Sequence, residues 1–474
     1  MTTKEATMER AVAICADGQA QSLAELADFV AIKSVSALPE HRQDVAAAAD
    51  RLAAKLVAMG FTGVQVIPTA GHPTVIGELL RAPESAPTVL VYGHFDVQPV
   101  EPLDEWRTDP WTMTEVDGRV YGRGTGDDKG QLWMHLDAIS ALLAAGDGTL
   151  PVNVRILAEG EEEVGSPNMS AFLEEYRDRL AADVAVVSDT PTHLEGWPAI
   201  GYSLRGLCSL EVELTTLRTD LHSGQFGGAV PNAARAMAAL IGTFHDDDGR
   251  VAVPGFYDTL TPVSEQELGR LRALPFDEKA WLDKAGAAEV VGEKGFGALE
   301  LTWNRPTLEV NGMYSGHLGA GTKTIVPGRA VCKVSSRLVS GMDPERTLQL
   351  IEQHVREQAP SWAQVRITRT GGAGNPYHTT PSGPVFDLAC QALAESFGRE
   401  VHLVRDGGAI PVVPLMAAQL ALPVLLLGFG CPDEAKHAPN EWLSLHHFRA
   451  GREALIRFYH RLGTTGGLLE NSEN

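Results

Sequence analysis

Apolar and polar positions follow two periodicities along the chain, and the switches between them mark out its elements. From Met8 to about Ile32 the apolar residues Leu23, Leu26, Phe29 and Val30 fall on one helical face, and Ser34–Pro39 breaks the run. Asp44–Met59, rich in alanine and carrying Val45, Leu52, Leu56 and Val57, predicts a second amphipathic helix stopped by Gly60. Short apolar runs at 64–67, 74–78 and 88–92 read as strands, followed by a helix over 129–143 and strands over 152–158 and 183–187. Helices alternating with buried strands predict an α/β sheet layered by helices. The stretch after His94, with Pro99, Pro102, Trp106, Pro110 and Trp111, is too rich in proline for a helix.

Near Arg205 the pattern changes. The segment 208–216 alternates like a half-exposed strand, 231–244 and 344–358 read as helices, and 307–311, 330–338 and 364–370 as strands. Without the stretch 245–306, which is partly helical and otherwise unreadable, the order is β-α-β-β-α-β, that of a ferredoxin-like sandwich. A smaller domain, 206–376, is thus inserted into a larger one formed by 1–205 and 377–474, and the larger one resumes with a helix over 385–397 and a strand over 424–427.

Composition narrows the class of function. The 474 residues are too many for one hydrophobic core, and 44% hydrophobic with 21% charged residues is ordinary for a folded protein. With 61 acids against 39 bases the net charge is −22, so phosphate backbones and anionic lipid surfaces are repelled, and neither nucleic acid nor membrane is an expected partner. Cys15, Cys208, Cys332, Cys390 and Cys431 are scattered and form no Cys-x-x-Cys pair, which fits a reducing compartment. Lys4, Glu5, Glu9 and Arg10 are not followed by the apolar core of a secretion signal, so the expected location is cytoplasmic.

Candidate chemistry gathers at strand exits. His94 and Asp96, two apart after an apolar run, share a face of any extended backbone. Gly122-Arg123-Gly124-Thr125-Gly126-Asp127-Asp128-Lys129-Gly130 opens a helix, and Glu161-Glu162-Glu163 and Asp189 each follow a strand. Singly, each has a plainer reading: a surface hydrogen-bonded pair, a glycine loop, an acidic helix start, a cap. The glycines match neither a P-loop nor the full dinucleotide fingerprint. Imidazole and carboxylates converging at strand ends suit a borderline metal such as zinc.

Taken in order, His94/Asp96, Asp127, Glu162/Glu163, Asp189 and His437 resemble the ordered marks of the M20 family of metallopeptidases. Asp220-Leu221-His222-Ser223-Gly224, Gly321-Thr322-Lys323-Thr324 and Arg405-Asp406-Gly407-Gly408-Ala409-Ile410-Pro411 are similar to its cytosolic nonspecific dipeptidase and carnosinase branch. The resemblance covers nearly the whole chain. It implies an aminopeptidase-like α/β/α catalytic domain with the inserted domain as a lid and dimerisation module, a homodimer, and two divalent ions per chain, with zinc expected ahead of manganese or cobalt. One ion would take His94 and Asp189, the other Glu163 and His437, with Asp127 bridging and a cis peptide bond after it. Asp96 would steady His94 through its other ring nitrogen, and Glu162 would be the general base, the register being set by Glu163-Val164-Gly165-Ser166. His222 would face the substrate carbonyl, Arg337 and Thr324 the α-carboxylate, and Asp406 and Gly408 the amino end. Asp406 stands where the branch usually has Glu, and Ala409 where it often has Ser.

The expected activity is hydrolysis of dipeptides. An N-acyl-amino-acid deacylase with the same site is the alternative, and a metal-binding or interaction module without catalysis is a further one.

Overall fold

The computed structural model describes residues 3–465. Four strands run parallel in the order Asn153–Glu159, Thr88–His94, Val184–Val187 and Val424–Gly428. Thr74–Leu79 and then Thr62–Ile67 continue the sheet antiparallel on one side, and Ala199–Leu204 pairs antiparallel on the other. The central strands are apolar almost throughout because both faces are covered. Val89 and Val91 pack into a cluster with the helices Arg42–Ala58, Lys129–Ala145, Pro384–Phe397 and Leu445–Thr464, while Leu90 and Tyr92 of the same strand are also buried. Helices Met169–Glu175 and Val412–Gln419 touch each other outside that cluster. This is an α/β/α arrangement, formed by one compact unit that runs to Tyr202, covers Thr379–Val404 and resumes at Val412.

The second unit is Ser203–His378 together with Arg405–Pro411. Its four antiparallel strands lie in the order Glu309–Ser315, Arg329–Leu338, Gly206–Thr215, Gln364–Arg369, which is the ferredoxin-like order 2-3-1-4. Gly206–Thr215 alternates strictly between buried and half-buried positions, and the helices Ala233–Ile241 and Pro344–Gln358 share its apolar core. The stretch 245–306 contains helices Glu265–Ala273, Glu278–Ala285 and Ala298–Asn304; Ser264 and Glu267 form a capping box on the first.

Some elements differ from the sequence reading. The single helix expected from Met8 to Ile32 is two, Thr3–Asp17 and Gln19–Val30, broken at Gly18, the poorest helix former in that run. Just after the proline-rich stretch lies a hairpin, Thr114–Val116 with Arg119–Tyr121, turning at Asp117 and Gly118 with φ of 50° and 76°. Both central residues are left-handed, and Asp-Gly is the residue pair such a turn favours. Trp442–Ser444 pairs with this hairpin. All five cysteines are free thiols. Among the described residues no helix is long and apolar enough to cross a membrane.

Candidate active site

The carboxyl ends of the four parallel strands point one way, and a candidate residue ends or follows each of them, as is usual for sites of open α/β sheets. His94 ends its strand fully buried, and its backbone N–H donates to Asp128 Oδ2 at 3.2 Å. Glu162 and Glu163 follow Asn153–Glu159, Asp189 follows Val184–Val187, and His437 lies in the loop after Val424–Gly428 with φ 59°. Asp127 closes the glycine-rich loop at the mouth of helix Lys129–Ala145, and the Asp127–Asp128 bond is cis, where it was expected.

Asp127 is the centre of the arrangement. Its Oδ1 lies 3.1 Å from His94 Nε2 and its Oδ2 3.1 Å from His437 Nε2. Asp189 Oδ2 approaches His94 Nε2 to 3.8 Å, and Glu163 Oε2 approaches His437 Nε2 to 3.2 Å. Two donor clusters result, His94/Asp127/Asp189 and Asp127/Glu163/His437, each with all its donor atoms within 4.8 Å of one another and each able to hold a metal ion. Imidazole with carboxylate is a donor set that fits zinc and its divalent neighbours.

Crowding acids in a buried place divides the protons unevenly. Burial would raise Asp127, but Lys436 and the hydrogen bonds of His437 and His94 hold it well below the usual carboxylate range. Asp189 is pushed up to about 7 by burial and by the charge of Asp127. Burial and Asp127 likewise raise Glu163, while burial, with Asp189 and Glu163 outweighing His94, carries Glu162 well above its ordinary value. Hydrogen bonds to Asp127 and Glu163 lift His437 to about 10. Burial alone would lower His94; its hydrogen bonds to Asp127 and Asp96 raise it well above the ordinary value.

Asp96 sits between two tasks. His94 Nδ1 lies 3.1 Å from the Asp96 backbone carbonyl and 3.4 Å from its Oδ1. The carboxylate accepts the backbone N–H groups of Glu162 at 3.2 Å and Glu163 at 3.1 Å. It therefore ties the His94 strand end to the glutamate turn. Glu161 faces elsewhere: buried, it accepts from His72 N–H at 2.7 Å, from Asn168 Nδ2 at 3.0 and 2.9 Å, and from Thr69 Oγ1 at 3.3 Å.

Sequence reasoning passed over the residues that hold the loop of Asp127. Glu441, fully buried, accepts from the N–H groups of Gly124 (3.0 Å), Gly126 (2.9 Å) and Asp127 (3.1 Å) and from Arg123 Nη1 at 2.6 Å. Arg123 Nη2 also donates to the carbonyls of Pro99 and Ala438. The available signal was an arginine set among glycines and an acid four residues after His437.

The remaining candidates lie in the second unit, in two groups. His222 pairs with Ile325 across a two-residue ladder, Ser223 N–H donates to the Thr324 carbonyl at 3.0 Å, and His222 Nδ1 accepts from Gly224 N–H at 3.0 Å. Separately, Asp406 Oδ1 accepts from Gly408 N–H at 2.7 Å, and Arg205 Nε donates to the Gly407 carbonyl at 2.9 Å. Burial lowers Arg337, opposed by the charge of Asp406.

Fold and site together define a metal-dependent hydrolase. The sequence profile of peptidase family M20/M25/M40 matches residues 90–461, and the chain belongs to that family and is a metallopeptidase. It is 31% identical to the Beta-Ala-His dipeptidase of Homo sapiens over 452 residues, 92% of this chain and 88% of that protein. It is 31% identical to the Cys-Gly metallodipeptidase dug1 of Schizosaccharomyces pombe over 397 residues, 83% of each. The crystal structure of human carnosine dipeptidase 1 superposes with a TM-score of 0.83 at 29% identity, covering 96% of this chain and 98% of that one.

Proposed function

We propose that the protein is a dipeptidase that works with two divalent ions, zinc first among them. The carrying observation is Asp127, whose two oxygens each face a different imidazole at 3.1 Å, as a bridging carboxylate must. Relatives named as dipeptidases, aligned over most of both chains, support the substrate class. His94 and Asp189 would hold one ion, Glu163 and His437 the other, with Asp127 between them. When bound, such a pair lowers the pKa of a water toward about 7 and polarises the scissile carbonyl.

The chain's own groups supply the rest. Glu162, placed by the bond from its N–H to Asp96, takes the water's proton as general base and delivers it to the leaving amine. Its raised pKa suits that return step. The Asp96 carbonyl accepts Nδ1–H of His94, which turns Nε2 toward Asp127 and fixes the ring. His222 accepts at Nδ1, so its proton sits on Nε2, ready to donate to the oxyanion of the tetrahedral intermediate. Arg337 pairs with the free α-carboxylate, assisted by Thr324, and Asp406 with Gly408 receives the amino end.

The second unit offers a surface for a homodimer. Glu309–Ser315 is an edge strand, and Val310, Met313 and Tyr314 on it are exposed. The free thiols fit a cytoplasmic setting.

The test is release of amino acids from a panel of dipeptides and N-acetyl and N-succinyl amino acids, by protein stripped of metal and refilled with zinc, manganese or cobalt. Cleavage of dipeptides by the refilled protein alone is expected. Cleavage confined to acyl amino acids would instead give a deacylase, and no cleavage at all a binding module.

A further inference from the structure

The chain does not turn away from the site after His94 and Asp96. Val97 bridges to Val35 and its N–H donates to the Ser34 carbonyl at 2.9 Å, so the backbone stays extended and Gln98 emerges beside the same glutamate turn that Asp96 holds. Gln98 Nε2 donates to Glu163 Oε2 at 2.8 Å and to the Glu163 carbonyl at 3.3 Å. An amide facing a carboxylate presents its nitrogen, because its oxygen there would set acceptor against acceptor. Since Glu163 N–H also donates to Asp96 at 3.1 Å, Asp96 and Gln98 between them hold Glu163 at its N–H, its carbonyl and its side chain. The reaction described above gives Gln98 no part.

Glu163 belongs to only one of the two donor clusters, Asp127/Glu163/His437, and among the described residues the side-chain hydrogen bonds of Gln98 go to Glu163 alone. The Glu163 side chain is 3% exposed, and its Oε2 has two neighbours, Gln98 Nε2 and, at 3.2 Å, His437 Nε2. They do not last equally. A histidine that ligates an ion through Nε2 has no proton there to donate, so loading this position ends the bond from His437. An amide N–H keeps its proton, and a carboxylate oxygen has one lone pair for it and another for the ion. Gln98 then keeps the carboxylate from swinging, and a long side chain already held loses less freedom when an ion arrives.

We propose that Gln98 is a positioning residue for the ion position Asp127/Glu163/His437: its amide holds the Glu163 carboxylate toward His437 before the ion binds and keeps it there afterwards. This rests on the two-metal reading above. Gln98 touches neither the ion nor the substrate, and the His94/Asp127/Asp189 position does not depend on it.

The test is stepwise zinc binding to metal-stripped protein, followed by calorimetry and by competition with a chromophoric chelator, together with kcat and KM on a dipeptide at saturating zinc. Wild-type protein should show two steps, one of which His437→Ala abolishes. Gln98→Met fills the space without a donor and should weaken that same step about 10–100-fold, the usual range for groups that orient a ligand, and leave the other within about threefold. KM at saturating zinc should stay within about twofold, because the substrate loses no contact. Equal weakening of both steps, with a lowered melting temperature, would make Gln98 a general structural residue; a raised KM with zinc binding unmoved would make it a substrate contact. Either overturns the inference and leaves the two-metal reading intact, as do two steps and a KM that Gln98→Met does not move. If Gln98→Met does not fold, crystals of zinc-loaded wild-type protein decide: the amide should still lie within hydrogen-bond distance of Glu163 Oε2, and an amide turned away or bound to zinc overturns the inference. A single zinc step in wild-type protein, abolished by His437→Ala and weakened by Gln98→Met, overturns the two-metal reading and upholds the role of Gln98, whereas uptake of no ion overturns both.

Discussion

Three consecutive glutamates take three environments, and their substitutions separate accordingly. Glu162→Gln keeps the shape and loses the proton acceptor, so turnover should fall by about two to four orders of magnitude with metal content unchanged. Glu163→Gln removes a charged donor beside His437 and should loosen one ion, read by elemental analysis after dialysis. Glu161 gathers His72 N–H, Asn168 Nδ2 and Thr69 Oγ1 in a buried pocket, where an amide would face donors with a donor of its own. Glu161→Gln should therefore cost about 1–3 kcal/mol of stability in denaturant melts, with turnover per folded molecule close to wild type. Protonation follows the same geometry. Asp189 at about 7 and His437 at about 10 must shed protons before binding an ion. A raised carboxylate is neutral below its pKa, so metal affinity should fall as the pH drops from 8 to 6. Calorimetry at pH 7 in buffers of different ionisation enthalpy should detect net proton release, and none would contradict these shifts.

Elements whose periodicity is carried by apolar residues alone were legible, and helix Pro384–Phe397 falls within a residue of where the sequence places it because its buried face is Phe386, Ala389, Ala392, Leu393 and Phe397 and Pro384 stands in its first turn. Helix Leu445–Thr464 was not read. Its buried face includes His447, Gly451, Arg452 and His460, and polar residues at core positions blur the period; Arg452 is held there by Asp137 at 3.1 Å. The candidate metal donors were legible because they stand in order after strands or, for Asp127, at the mouth of a helix, whereas the support around them comes from far along the chain. Glu441 binds backbone N–H groups more than 300 residues earlier, which no local pattern reveals. Glu441→Gln places an amide N–H₂ among those donors and should shift the Asp127 loop. Metal affinity should fall about 10–100-fold, the usual range for groups that orient a ligand, in chelator competition at unchanged secondary structure. The stretch 245–306, unreadable in sequence, is fastened by Glu267 to Arg405 at 2.5 Å and His378 at 2.9 Å. It thereby buttresses 405–411, which carries Asp406 and Gly408, so Glu267→Ala should raise KM for dipeptides by several-fold, about the weight of one lost charged hydrogen bond, with little change in kcat or metal content.

For the whole molecule, the two units have separate work: the α/β/α unit gathers the candidate metal donors, and the ferredoxin-like unit carries His222, Thr324, Arg337, Asp406 and Gly408. If the edge strand Glu309–Ser315 joins two chains, Met313→Asp should shift the protein toward monomer in sedimentation, since a charge would enter a row of exposed apolar residues. The central claim, however, is that one carboxylate serves two ions, and anomalous diffraction at the zinc edge from zinc-loaded crystals addresses it directly. The account predicts two peaks about 3.5–4 Å apart, one on each oxygen of Asp127, the first also bound by His94 and Asp189 and the second by Glu163 and His437. A single peak at saturating zinc, or two peaks that do not share Asp127, would contradict it.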